Sequence, residues 1–174
     1  MSVSWSLIPH PADAPPAGLS LRIEARLAAG HLVLAYALRG DLSALCLPET
    51  PPDPGCLWKH TCFEAFLARP DGSYTEYNFA LPAAWQGYVF GAYRQPLPEQ
   101  PKPPLTMRWQ KTDHALRLRV KLPGTNLTRL GLSAVLEDTA GRLSYWALCH
   151  PAQKPDFHLA EGWMTVGEQA RGLR

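Results

Sequence analysis

The sequence predicts an all-β fold, an antiparallel β-sandwich of the immunoglobulin-like or jelly-roll-like kind. Apolar and polar residues alternate with a two-residue period in several segments, which is typical of strands with one buried face. Turn signals containing Gly or Pro separate these segments. The composition agrees, because 18 prolines and only 18% charged residues suit strands joined by stiff loops. A chain of 174 residues is expected to form one domain, residues 1–174, with its core at about 19–166.

Three segments show the alternation most clearly. Every odd position of residues 19–27 is apolar, and residues 31–39 and 116–122 keep the same period. The Ala29-Gly30 step between the first two segments predicts a hairpin. Each of these strands should place one face on a core and the other in water.

Two central segments, residues 62–68 and 74–81, are apolar or aromatic on both faces. Such strands lie in the middle of a sandwich or line a pocket. Asp71-Gly72 between them predicts a hairpin turn. If those two residues form the turn, Glu64 shares a face with Tyr77, whereas Glu76 lies on the opposite face.

The rest of the chain supplies further strands and stiff loops. Strands are expected at residues 105–111, 130–137 and 143–150, the last entered through a turn at Gly141. Residues 9–18, 48–55 and 95–104 are too rich in proline for central strands. Residues 82–86 are expected to form one short helical turn.

Composition and motifs argue against several classes of function. The net charge is +2 and no run of Lys or Arg suggests a nucleic-acid binder. No apolar run is long enough to span a membrane, and residues 1–16 lack the basic and apolar pattern of a signal peptide, so a cytoplasmic location is expected. Phosphate-binding glycine loops, nucleophile elbows and zinc-protease motifs are missing from the sequence. A catalytic site assembled in space stays open.

Four polar residues stand out in the apolar central strands and beside them: Glu64, Glu76, Asn78 and Arg94. A buried carboxylate needs a partner, and Arg94 is the expected cation for Glu64 or Glu76. Two interpretations stay open. The residues form a buried ion pair that fixes strand register, or they line a ligand pocket.

A polar loop follows the strand that ends at His150. It carries Lys154, Asp156 and His158, and loops at strand ends often hold recognition residues in β-sandwiches. His150 and His158 could join His60 in space, but the spacing does not predict a metal site. No metal and no cofactor are therefore expected.

Six tryptophans are many for this length, and most should be buried. Trp58 and Trp85 differ because both border loops. Each is a candidate platform on which a sugar ring or another flat ligand stacks.

The central motifs resemble the DOMON-like domains of bacteria. The resemblance is carried by Cys62-Phe-Glu-Ala-Phe-Leu, Tyr74-Thr-Glu-Tyr-Asn-Phe, Trp85-Gln-Gly-Tyr and Tyr145-Trp-Ala-Leu-Cys-His-Pro, and it covers roughly residues 20–165. DOMON domains are β-sandwiches similar to family 9 carbohydrate-binding modules and to the cytochrome domain of cellobiose dehydrogenase. Some bacterial members are fused to UDP-N-acetylenolpyruvoylglucosamine reductase. The resemblance implies a sandwich fold and the binding of a sugar or of haem.

The leading functional hypothesis is a non-catalytic module that binds a small sugar-like ligand, a carbohydrate or glycoconjugate. Alternatives are a haem-binding electron-transfer domain, an enzyme with a site around His60, Glu64, His150 and His158, and a module that docks onto a partner protein. The resembling haem domains hold the iron between a Met and a His, and in this sequence Met107 and Met164 are the realistic methionine ligands. Met107 alternates in phase with Leu105 and Trp109, which favours a core position instead.

Overall fold

The computed structural model describes residues 2–124 and 126–166 and confirms the all-β prediction. Its twelve strands are all antiparallel and form one connected hydrogen-bonded network. The strands are β1 (Ser2–Pro9), β2 (Ser20–Ala28), β3 (His31–Arg39), β4 (Cys62–Ala68), β5 (Tyr74–Ala80), β6 (Ala84–Ala92), β7 (Gln95–Leu97), β8 (Thr106–Lys111), β9 (Ala115–Pro123), β10 (Arg129–Glu137), β11 (Leu143–Ala147) and β12 (Met164–Thr165).

The strands form the two layers of a sandwich. Sheet A has the order β1-β2-β3-β9-β8, and sheet B has the order β7-β6-β5-β4-β10-β11. Strand β1 joins the layers, because residues 2–7 pair with β2 whereas Ile8 and Pro9 pair with β11. Strand β12 adds two residues beside the start of β10.

The main core lies between the sheets and contains the apolar side chains that the alternation predicted. Ile23 and Leu34 of sheet A and Phe79 of sheet B are fully buried there. The Tyr36 and Phe63 rings contact across the layers with centroids 5.2 Å apart. The Tyr36 hydroxyl donates a hydrogen bond of 2.6 Å to the backbone carbonyl of Glu64, which fixes the two sheets against each other.

The β4–β5 hairpin differs from the sequence prediction by one residue of register. The Arg69 backbone pairs with Ser73, so the loop has three residues and ends at Gly72, whose φ is +85°. A three-residue loop of this kind uses a glycine in the left-handed region. Because a one-residue shift exchanges the faces of a strand, the predicted separation of Glu64 from Glu76 is wrong. Glu64 pairs with Asn78, and Phe66 pairs with Glu76.

Other differences lie at the edges of sheet B. The expected helical turn at 82–86 is wrong, since β6 already begins at Ala84. Gln95–Leu97, expected as loop, forms the edge strand β7. Ser2–Pro9, which carried no prediction, forms β1.

Helical structure within residues 2–124 and 126–166 is confined to three short 3₁₀ segments, Leu42–Ala44, Pro54–Lys59 and Ala160–Gly162. In that part of the chain no helix has the length and apolar character needed to cross a membrane.

Candidate functional site

The outer face of sheet B, the face turned away from sheet A, carries an open cavity of about 570 Å³. This size is in the range of small-molecule sites. Its floor comes from β4, β5 and β10, and its walls come from β6, the 3₁₀ segment Pro54–Lys59 and the loop that contains residues 155–158. Aromatic side chains dominate the lining: Trp58, Phe66, Tyr88, Phe90, Tyr145 and Phe157.

Two carboxyl groups lie in the floor of this cavity. Glu64 and Glu76 are only 3% and 6% exposed, and the register places them on neighbouring strands of one face. Asn78 lies directly opposite Glu64 and is fully buried, and its amide donates a 2.7 Å hydrogen bond to Glu76 Oε1. Three of the four polar residues that the sequence singled out therefore form one cluster.

Glu64 has no cationic partner within the described residues. Its oxygens accept hydrogen bonds from the Ser133 hydroxyl at 3.0 Å and the Cys62 thiol at 3.4 Å. Burial raises its pKa, and the nearby charge of Glu76 raises it further, to about 8, against the opposing effect of these hydrogen bonds. Glu64 is consequently a neutral carboxylic acid at pH 7.

Glu76 is the second carboxyl group and lies closer to charged groups. Burial raises its pKa, whereas the Asn78 hydrogen bond and the positive charge of Arg94 lower it, and the net shift is upward. The Nε2 atom of His158 lies 3.6 Å from Glu76 Oε2, which is too long for a hydrogen bond.

His158 is held in place from its other nitrogen. Nδ1 lies 2.7 Å from the Tyr74 hydroxyl, which also accepts a 3.1 Å hydrogen bond from the backbone N–H of Arg94. Burial lowers the pKa of His158 to about 4, and the Arg94 charge acts in the same direction. The imidazole is therefore neutral at pH 7.

Arg94 does not pair with either glutamate, so that prediction is wrong. Its guanidinium donates a 2.9 Å hydrogen bond to Asp156 Oδ1, and Tyr93 donates to the other oxygen. Burial raises the pKa of Asp156, but the hydrogen bonds from Tyr93 and Arg94 outweigh it and the net shift is downward. This ion pair forms one rim of the cavity.

The local sequence explains how the aromatic walls arise. Asp53 caps the 3₁₀ segment by accepting a hydrogen bond from the Gly55 N–H, and Pro54 stands at its first position. This turn places Trp58 at the cavity with 48% of its surface exposed. On β6 the two-residue period places Tyr88 and Phe90 on the outer face, opposite Glu76 and Tyr74.

Five of the nine residues expected in the site line this cavity, and Asn78 supports it from below. The five are Trp58, Glu64, Glu76, Arg94 and His158. Trp85 lies on the opposite face of β6, half-buried and packed near Tyr77 with ring centroids 6.3 Å apart. His60 is exposed and pairs with Glu137 at 2.8 Å. His150 donates to the Ile8 carbonyl and packs beside His10.

Sequence reasoning did not assign Tyr88, Phe90, Tyr145 and Phe157 to the site. The alternation in residues 84–92 could have identified Tyr88 and Phe90, because residues two positions apart lie on the same face of a strand. Nothing in the local sequence indicates that residues 155–158 fold over this face.

Residues 2–124 and 126–166 contain no cluster of three or more His, Cys, Asp or Glu arranged to hold a metal ion. Met107 and Met164 pack against the core between the sheets, and neither lines the cavity.

Comparison with known proteins bears on the fold. No protein-family model matches the chain, and no curated protein matches it. A candidate carbohydrate-binding protein from Bacteroides uniformis superposes with a TM-score of 0.63 at 12% identity, covering 94% of this chain and 84% of that one. A family 9 carbohydrate-binding module from Caldicellulosiruptor kristjanssonii, in complex with cellotriose, superposes with a TM-score of 0.50 at 7% identity over 82% and 71%. The fold resembles that of carbohydrate-binding modules. At these identities the likeness shows the fold alone.

Proposed function

We propose that this protein is a non-catalytic carbohydrate- or glycoconjugate-binding module whose ligand occupies the cavity on the outer face of sheet B. The observation that carries the proposal is the combination, in one open cavity, of aromatic walls with a buried polar floor. An aromatic face packs against the apolar face of a sugar ring, while polar side chains bond its hydroxyl groups.

The protonation states of the cavity suit a ligand with many hydroxyl groups. At pH 7 the neutral Glu64 carboxyl can both donate and accept hydrogen bonds, and neutral His158 likewise offers both functions. The Arg94–Asp156 pair adds donors and acceptors at the rim. A sugar hydroxyl also donates and accepts, so it can satisfy either kind of group.

The comparisons support this proposal without deciding the ligand. One structural neighbour is a candidate carbohydrate-binding protein, and the other is in complex with cellotriose. Membership of the bacterial DOMON-like group and a cytoplasmic location are further parts of the proposal, supported by the motifs and the sequence respectively.

The test is a glycan array followed by calorimetry with the strongest ligand, and with cellotriose as a defined probe. Trp58→Ala removes an exposed aromatic wall, and Glu76→Gln keeps the side-chain shape while replacing the carboxyl group by an amide. Each variant should weaken binding by about 10- to 100-fold, the cost of losing a hydrogen bond to a charged group or a comparable contact.

Leu105→Ala is the matched control, because Leu105 is as exposed as Trp58 but lies outside the cavity. Its affinity should equal that of the wild type. If no saccharide on the array binds, the proposed function is wrong. If both cavity variants keep the affinity of the wild type, the saccharide binds elsewhere on the protein.

A further inference from the structure

The outer face of sheet A gathers basic side chains that are far apart in the sequence. Strands β2, β3, β8 and β9 place seven of the 17 lysines and arginines on this face: Arg22, Arg26, Arg39, Arg108, Arg117, Arg119 and Lys121. Glu24 is the one acidic residue at these outward positions. The face therefore carries a net charge of +6, against +2 for the whole chain.

These charges border a trough. The three middle outward residues of the central strand β3, Val33, Ala35 and Ala37, are small, and they form its floor. Arg22 on β2 and Arg117 on β9 flank Ala37 from opposite sides, and Arg26 and Lys121 flank Val33 in the same way.

The dimensions of the trough follow from sheet geometry. Strands β2 and β9 are two strand spacings apart, so the two basic rows are separated by about 10 Å. An open volume of about 710 Å³ lies at one end of the trough, over Ala35 and Ala37 and between Arg22 and Arg117.

Within residues 2–124 and 126–166 none of the seven basic side chains forms a salt bridge. Arg108 lies directly opposite Arg119, and like charges in that position destabilise a sheet. The six arginines are exposed, and their planar guanidinium groups bind carboxylate and sulfate-type anions through paired hydrogen bonds. The arrangement is suited to an extended anion rather than to internal ion pairs.

The shape and composition of the face favour one class of polyanion. A trough about 10 Å wide accepts a single chain of sugar rings but is too narrow for a nucleic-acid duplex, whose two grooves together span roughly 18 Å. The outward positions of β1, β2, β3, β8 and β9 in the described part of the chain include no Trp, Tyr or Phe. Single-stranded nucleic acid is usually held by bases stacked on such rings.

We propose that the outer face of sheet A is a second binding surface, which holds an acidic polysaccharide along the trough over β3. Its arginine rows bond the carboxylate or sulfate groups of the chain from both sides. The surface is separate from the sheet B cavity, since the core between the sheets divides the two outer faces.

The test measures binding of polygalacturonate and dextran sulfate in 150 mM salt by calorimetry, with uncharged dextran and an oligothymidylate as comparison probes. The wild type should bind an acidic polysaccharide and not dextran. Arg117→Ser/Arg119→Ser should weaken that binding at least about tenfold and lower the slope of log affinity against log salt by up to about two, since two charge contacts are lost.

The control is Lys102→Ser/Lys154→Ser, which removes the same charge from exposed positions outside the face. It should bind the acidic polysaccharide like the wild type, and Arg117→Ser/Arg119→Ser should keep its affinity for the ligand of the cavity. Failure of the wild type to bind either acidic polysaccharide, equal losses in the two double variants, or tighter binding of oligothymidylate than of the polysaccharides would each overturn the proposal.

Discussion

The outer faces of the two sheets differ although both sheets share one core. Every residue of β4 and β5 is buried, whereas β2 and β9 alternate between buried and exposed positions. On sheet B, the Pro54–Lys59 segment and the loop that ends at Trp163 fold over the outer face, and Trp163 stacks on Phe66. The strand fixes which residues face outward, and the loops decide whether that face is buried.

The same difference explains the chemistry of each face. On sheet B, burial shifts the pKa of Glu64, Glu76 and His158 towards the neutral forms. On sheet A, the arginines are exposed to water, where repulsion between neighbouring charges is small. A covered face therefore gives a selective cavity, and an open face gives a charged surface.

The largest expected effect on stability comes from substituting Phe66, which is 1% exposed on the outer face of sheet B. Phe66→Ala should lower the free energy of unfolding by about 3–5 kcal/mol, because it removes a buried ring that packs against Trp163 and His158. Arg22→Ala at an outward position of sheet A should change it by less than about 0.5 kcal/mol. Urea unfolding measures both, and equal effects would contradict the difference in burial.

A smaller effect concerns the pH dependence of stability. The pKa of Glu64 in the folded protein is about 8, above its ordinary 4.5, so the folded state keeps a proton that the unfolded state releases. The stability contributed by this group is full below about pH 4.5 and falls as the pH rises towards about 8.

Glu64→Gln removes this dependence. The wild type should lose stability as the pH rises, and the variant should not. The difference in free energy of unfolding, variant minus wild type, should therefore increase by a few kcal/mol from pH 5 to pH 9. The contribution of His158 to stability is lost at lower pH, as the pH falls from 6.5 to about 4. Both proteins contain His158, so this loss cancels in the difference between them. Unfolding curves at pH 5, 7 and 9 provide the measurement, and parallel pH profiles would show that Glu64 ionises normally.

The smallest expected effect is on sheet A. Arg119→Ser removes the repulsion between Arg119 and Arg108 across β8 and β9. The variant should be more stable by a few tenths of a kcal/mol in low salt, and the gain should vanish in 1 M salt, where charges are screened. A loss of stability in low salt would mean that the arginine stems pack on the sheet strongly enough to outweigh the repulsion.

The sequence alone determined several strands of this protein, because alternation is a local property. It located the hairpin β2–β3 and strand β9, and it identified residues 62–68 and 74–81 as strands buried on both faces. It also singled out Glu64, Glu76, Asn78 and Arg94 as a polar group in an apolar setting. These conclusions need only the two-residue period and the cost of burying a charge.

Only the tertiary structure decided which residues meet. The three-residue loop at Gly72 placed Glu64, Glu76 and Asn78 on one face, and side chains change faces with every residue of register. The cavity walls come from segments about 100 residues apart, as Trp58 and His158 show, and contacts across such separations leave no local pattern. For the same reason, basic residues that looked scattered along the chain form one charged face on sheet A.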